Sequence, residues 1–266
     1  MIDLSRFKAV VLDLDGTLAG GDHRVSDFAN AVVRRVAERG LRVIVSTGRS
    51  AANALALARA MGANAPVISA NGAVVAELSD GRALRVVALE PATAAHYLTL
   101  ADLGGVEAMI WSAEGMITAG PGLVTELMDL VGEAPIILRP QHEWSAEGVI
   151  KVLFAAEPEV LDSLDLTDFP LIQRSLSHFV EASAPEARKD VALRWLLDRL
   201  GIDPAETIVC GDAETDLESV RLAGLGVAPA GAAPTVREAA DLVVGGHAED
   251  GIAHFLEAAL AASPSG

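Results

Sequence analysis

One cysteine, Cys210, and three lysines, Lys8, Lys151 and Lys189, occur among 266 residues. A lone thiol excludes an internal disulfide and any metal site built from several cysteines. Cys210 closes an apolar run at 207–210, which predicts a buried, inert thiol. The six histidines never stand three or four residues apart, and neither HExxH nor GxSxG occurs, so zinc-hydrolase and serine-hydrolase chemistry lose their usual support. There is no basic-then-apolar leader and no unbroken apolar stretch of about 20 residues. The expectation is a cytoplasmic protein with no membrane partner. Positive charge is scarce as well. A net charge of −17 argues against nucleic acid as a partner, because phosphate backbones need a basic surface. Any phosphate on a ligand must then be met locally, by metal, lysine and backbone N–H groups.

What the chain does have is apolar residues, 51% of the total, enough for a sizeable core in one large domain or two. It is organised around residues 8–18, KAVVLDLDGTL. The run at 9–12 reads as a strand buried on both faces, stopped by Asp13, Asp15 and Gly16. In open α/β sheets the crevice beyond the carboxyl ends of the strands holds ligands. Side chains at i and i+2 of an extended segment point the same way, so Asp13 and Asp15 can address one ligand. Two carboxylates that close repel unless a cation sits between them, and Mg2+ is the default ion for oxygen ligands.

Further strands end in the same manner. Ser26 is placed to cap a helix over 27–39, with Ala29, Val32, Val33 and Val36 as its apolar stripe and Gly40 at its end. A strand at 41–46 then runs into Thr47-Gly48-Arg49, and Ser50 caps a helix to Met61. A third strand at 66–69 leads to Asn71-Gly72, a strong turn signal. From about 82 to 183 the texture changes to short strand candidates at 83–89, 106–111, 116–119, 148–155, 170–176 and 178–182. Helical stretches lie between them at 91–102, 122–131 and 158–164, and the whole is the size of a domain. A helix over 186–200 follows, with Val191, Trp195, Leu196 and Leu200 inward and Lys189 near its start. A buried strand at 207–210 then empties into Gly211-Asp212-Ala213-Glu214-Thr215-Asp216. Its two aspartates stand four residues apart, one helical turn if a helix begins there. Gly224 and Gly226 do not make a dinucleotide fingerprint, for the third glycine is missing.

DLDGTL resembles the first motif, DxDGT, of the haloacid dehalogenase superfamily of phosphohydrolases. Thr47-Gly48 is similar to the second motif, the segment around Lys189 to the third, and GDAETD to the fourth, GDxxxD. SANGAVV at 69–75 and the C-terminal stretch from Leu222 resemble the Cof-type, subclass IIB branch. The resemblance implies an α/β fold: a doubly wound, Rossmann-like parallel sheet over residues 1–81 and 185–266, with an inserted α+β cap over 82–184. It implies a Mg2+-dependent phosphatase acting on a small phosphate ester, a sugar phosphate by expectation, through an aspartyl-phosphate. Asp13 would be the nucleophile and Asp15 the general acid and base. Thr47, Gly48 and Lys189 would bind the phosphoryl group, with Arg49 and Asn71 at the substrate. Asp13, Asp212 and the backbone carbonyl of Asp15 would hold the metal, and Asp216 a metal-bound water. A phosphomannomutase-like mutase, a dedicated glycosyl-glycerate phosphatase and a non-catalytic metal-binding protein are the alternatives. A monomer or weak homodimer is expected. Two departures stand out: Thr215 where relatives carry Asn, and Pro229-Ala230-Gly231-Ala232 where they carry an Asn-Ala pair.

Overall fold

The computed structural model describes residues 2–20, 23–102, 105–133, 135–169 and 171–263. The chain divides into two compact units, Met1–Arg85 with Arg188–Gly266, and Val86–Ala187.

In the first unit, β1 (Ala9–Leu12) is buried along its whole length, as four consecutive branched or small apolar residues require. Helix α1 (Asp27–Glu38) starts where Ser26 accepts a 3.0 Å hydrogen bond from the Ala29 N–H, and it buries Ala29, Val32, Val33 and Val36. Strand β2 (Arg42–Val45) is followed by α2 (Ala51–Met61), capped by Ser50 and closed by Gly62 in the left-handed region. Then come β3 (Val67–Ser69), β4 (Val74–Ala76) and β5 (Ala83–Val86), which form a small three-stranded sheet.

The second unit contributes α3 (Pro91–Leu98), β6 (Glu107–Ser112), β7 (Gly115–Thr118), α4 (Leu123–Leu130), β8 (Ile136–Leu138), β9 (Lys151–Ala155), α5 (Pro158–Ser163), β10 (Ile172–Leu176) and β11 (Phe179–Ser183). The helix expected over 91–102 gives way to a 3-10 turn at Thr99–Asp102, and the three-residue β8 is too short to show in the sequence pattern. Of the strand expected at 170–176, Pro170 lies outside the described residues. The six strands run β10-β11-β9-β6-β7-β8, antiparallel except for β7 with β8. Ala108, Ile110, Val152, Phe154, Val180 and Ala182 alternate along three neighbouring strands and face Ala94, Tyr97 and Leu161 of α3 and α5.

The chain returns to the first unit as α6 (Lys189–Leu200), β12 (Thr207–Cys210), α7 (Leu217–Leu222), β13 (Leu225–Pro229), α8 (Pro234–Ala239), β14 (Leu242–Val244) and α9 (Gly251–Ala262). Helix α6 begins three residues later than the sequence pattern suggests. The Ala187 N–H closes a 2.9 Å turn on the Ala184 carbonyl, and Arg188 stays extended as the cap residue. Its buried face is Ala192, Leu193, Leu196 and Leu197, with Val191, Trp195 and Leu200 only half buried, so the expected stripe is rotated by about one residue. The central sheet is wholly parallel in the order β14-β13-β12-β1-β2, and a bridge between Ser46 and Ile68 carries it on to β3. Ala9 and Val11 of β1 join the cluster that contains the buried faces of α6, α7 and α8. Val10 and Leu12 point to the other face, where α1 packs against α2 and α9. Two helical layers on a parallel sheet make the doubly wound arrangement.

Candidate active site

Strand register brings the site together. Leu12 lies opposite Cys210 on one side and Val45 on the other, so the next residues outward on three adjacent strands are Asp13, Gly211 and Ser46. The ladder runs one step further before it stops. The Asp13 N–H donates to the Cys210 carbonyl (3.0 Å), the Ser46 N–H to Leu12 (2.9 Å) and the Thr47 N–H to Ile68 (3.0 Å). The loop after β1 passes close to the loop after β12. Gly16 has φ 85° and a Cβ there would collide with the Asp212 carboxylate, so both backbone and space demand glycine. Thr17 Oγ1 donates to Asp212 Oδ1 at 2.8 Å and fixes that carboxylate.

Lys189, the first residue of α6, sends its ammonium between two carboxylates, 2.7 Å from Asp13 Oδ1 and 2.8 Å from Asp216 Oδ1. All three side chains are buried. Burial works against the Lys189 charge, but Asp13 and Asp216 more than offset it and the net effect is a raised pKa. Burial, with Asp216 and Asp212 as like-charged neighbours, pushes the Asp13 carboxyl well above the usual carboxylate range against the pull of Lys189. Burial also raises Asp212, opposed by the Thr17 hydroxyl. Asp13, Asp212 and Asp216 each present a carboxylate oxygen within 4.8 Å of the other two. One ammonium among three carboxylates leaves two negative charges unbalanced when all are ionised. An all-oxygen donor set of that charge fits a hard divalent cation such as Mg2+.

Asp15 points elsewhere. Arg49 grips it with both prongs, Nη2 to Oδ1 at 2.6 Å and Nε to Oδ2 at 2.8 Å, and His23 Nδ1 lies 2.9 Å from Oδ1. Partial burial pushes the Asp15 pKa up, but the hydrogen bonds and charges of Arg49 and His23 win and hold it below the usual range.

The turn after β3 is wound left-handed for three residues in succession, Ala70 (φ 48°), Asn71 (φ 54°) and Gly72 (φ 95°). Such a run is held only where its surroundings determine it. Here a Cβ on Gly72 would strike the Arg188 carbonyl, so the turn abuts the start of α6, and the Asn71 N–H donates to the Thr47 carbonyl (3.1 Å). The Asn71 carboxamide thereby rests on Gly48, its Oδ1 2.9 Å from where a Gly48 Cβ would be.

Asp13, Lys189, Asp212 and Asp216 are thus gathered in one cluster, with Thr47, Gly48 and Asn71 joined on the neighbouring loops. The Asp15 carboxylate is not part of the carboxylate cluster, and the Arg49 guanidinium, expected at the substrate, lies on Asp15. Thr17 and His23 were not singled out in the sequence. Thr17 stands in the first motif and could have been, whereas His23 is a single residue in a polar loop with no pattern to mark it. Four other cations are held by partners of their own. Arg85 donates to the Gly72 carbonyl at 2.9 Å, Arg139 pairs with Glu114 at 2.7 Å, and Arg174 with Asp162 at 2.5 Å. Lys151, buried, pairs with Glu181 at 2.7 Å and lies 4.5 Å over the Trp111 ring. No helix among the described residues is long and apolar enough to cross a membrane.

The family model for haloacid dehalogenase-like hydrolases matches residues 10–256. The phosphoglycolate phosphatase of Methanopyrus kandleri is 27% identical over 255 residues, covering 94% of this chain and 96% of its own length. Among solved structures, a haloacid dehalogenase-like hydrolase from Bacteroides thetaiotaomicron superposes with a TM-score of 0.86 at 24% identity, over 95% of this chain and 99% of that one. A subclass IIB sugar phosphatase of the same superfamily superposes with a TM-score of 0.80 at 23% identity, over 94% and 98%.

Proposed function

The chain belongs to the haloacid dehalogenase-like hydrolases and is a phosphoric monoester hydrolase, and from that premise we propose that it is a Mg2+-dependent phosphatase acting on a small sugar phosphate or similar metabolite. The observation that carries this reading is the buried Asp13, hydrogen-bonded to Lys189 at the end of β1, with Asp212 and Asp216 beside it. Phosphate monoesters resist hydrolysis because an anion must approach an anion, and catalysis rests on positioning and on neutralising that charge.

Asp13 is the nucleophile. Its carboxylate oxygen bonds to phosphorus as the bond to the leaving oxygen breaks, giving an aspartyl-phosphate. Asp15, protonated when the anionic phosphate ester adds its negative charge against the pull of Arg49 and His23, gives its proton to that leaving oxygen, then takes one from the water that attacks the aspartyl-phosphate. Lys189, the Thr47 hydroxyl and the Gly48 N–H hold the phosphoryl oxygens, and the Asn71 carboxamide lies against Gly48 where it can reach the substrate. Asp13, Asp212 and the Asp15 carbonyl would hold Mg2+, with Asp216 supporting a bound water. When bound, the ion neutralises charge that builds on the phosphoryl group. Preference for one leaving group over another is assigned to the second unit. A sugar phosphate as substrate agrees with the sugar phosphatase of similar fold.

The test is phosphate release from a panel of phosphorylated sugars, glycerates and nucleotides, with Mg2+ and with chelator, for the wild type and Asp13→Asn. Release that needs Mg2+ and is lost in the variant is expected, and the preferred ester names the substrate class. Undiminished release by Asp13→Asn would overturn the assignment of the nucleophile.

A further inference from the structure

The segment that follows the first motif folds back over its own aspartate. Asp15 and Ala19 form a bridge, Ala19 forms another with Val25, and the His23 N–H donates to the Gly20 carbonyl at 2.9 Å. His23 sits at φ 59°, a left-handed conformation that non-glycine residues adopt at some cost, and there its Nδ1 reaches Asp15 Oδ1. Arg49 locks the same assembly from the other side. Besides its two bonds to Asp15, it donates from Nη2 to the His23 carbonyl (3.0 Å), and its backbone is tied to Thr47 Oγ1 (3.2 Å) and the Ala70 N–H (2.8 Å). Arg49 is 8% exposed although it carries a full charge.

A carboxylate offers about four acceptor sites. Among the described residues, Oδ1 of Asp15 has two partners, Arg49 Nη2 and His23 Nδ1, and Oδ2 has one, Arg49 Nε. The arrangement fixes the plane of the carboxylate and leaves one lone pair, on Oδ2, for a proton.

We propose that His23 and Arg49 are positioning residues that orient Asp15 so that its Oδ2 carries the proton exchanged with the substrate. The proposal rests on the reading of Asp15 as general acid and base. In the first transfer the Asp13–phosphorus bond forms and the bond from phosphorus to the leaving oxygen breaks, that oxygen receiving the Oδ2 proton. In the second, Oδ2 takes a proton from water, the water oxygen bonds to phosphorus and the Asp13–phosphorus bond breaks. Inorganic phosphate is released, and Asp15 is protonated again. Arg49 then acts through Asp15 and not as a ligand of the substrate.

Leaving-group dependence tests this, because an aryl oxide such as 4-nitrophenolate departs without a proton and an alkoxide does not. The quantity to measure is kcat/KM, which reports the first transfer, on 4-nitrophenyl phosphate and on the best alkyl ester of the panel. The full chain with Mg2+ is used for the wild type, Asp15→Asn, His23→Ala, His23→Asn and Arg49→Lys. Asp15→Asn is expected to lose about 100-fold or more on the alkyl ester and far less on the aryl ester, as removal of a general acid does. His23→Ala and Arg49→Lys should follow the same pattern at about 10-fold or more. His23→Asn, whose amide nitrogen stands where Nδ1 stands, should recover most of the loss. Equal losses on both esters for the His23 and Arg49 variants, or a rise in KM alone, would overturn the positioning role while leaving Asp15 in place. If Asp15→Asn itself lacks the leaving-group pattern, the acid–base reading fails, and the proposal with it. Should Arg49→Lys fail to fold, the two His23 variants decide.

Discussion

Asp13 carries a conflict that mutation can expose. Burial and neighbouring carboxylates raise its pKa above the unfolded value of about 3.9. A carboxyl raised on folding subtracts nothing from stability below the unfolded pKa. Its penalty grows as pH rises toward the folded pKa and is complete beyond it. Without divalent metal, Asp13→Asn should therefore be more stable than the wild type at pH 7, with the difference shrinking as pH falls toward 4. Chemical denaturation at several pH values in chelator would measure this. A variant less stable at every pH would show that the Lys189 pair outweighs the cost of burial. Asp15 has the opposite sign. Its lowered pKa contributes stability above the unfolded value that is lost as pH falls through the folded one. Two aspartates separated by one residue are thus pushed in opposite directions, one by burial and the other by a guanidinium and an imidazole.

Strand β12 matters as an element because its end decides where Asp212 lies. Cys210 is its last residue, paired in register with Leu12 and Val227, and burial pushes the thiol pKa up. A thiol in that position reacts only when the strand leaves the sheet. Iodoacetamide at pH 8 should leave Cys210 unmodified in the native protein and label it fully in denaturant. Labelling in step with global unfolding would mark the β1–β12 pair as part of the most stable structure, and rapid native labelling would show that this end of the sheet opens locally. The strands themselves could be read from the sequence, since runs such as 9–12 and 207–210 admit little else. Helix α6 was less legible. The turn from Ala184 to Ala187 delays its start, which makes Lys189 its first residue and turns the buried face from Val191 toward Ala192 and Leu193.

For the whole molecule, a net charge of −17 means self-repulsion that any dissolved salt relieves. Specific binding of Mg2+ must therefore be measured against NaCl of equal ionic strength. The melting temperature should rise by several degrees in Mg2+ beyond that control, since a ligand at about 100 times its Kd adds about 2.7 kcal/mol. The increment should vanish in Asp212→Asn, and its persistence there would remove Asp212 from the metal site. The sequence by itself determined the parallel sheet, the family resemblance and the residues that meet at its carboxyl edge. Apolar runs, glycines and paired acids carry that information locally, and their order along the chain carries the rest. Which side chains bind one another was decided only by the tertiary structure. Nothing local to Arg49 says that its guanidinium turns back to Asp15, 34 residues earlier, or that His23 joins it. Likewise, Lys189 lies 176 residues from Asp13 in sequence and 2.7 Å from it in space, because strand register and the helix start put them together. Pairing across such distances depends on where whole elements come to rest, which no short stretch of residues encodes.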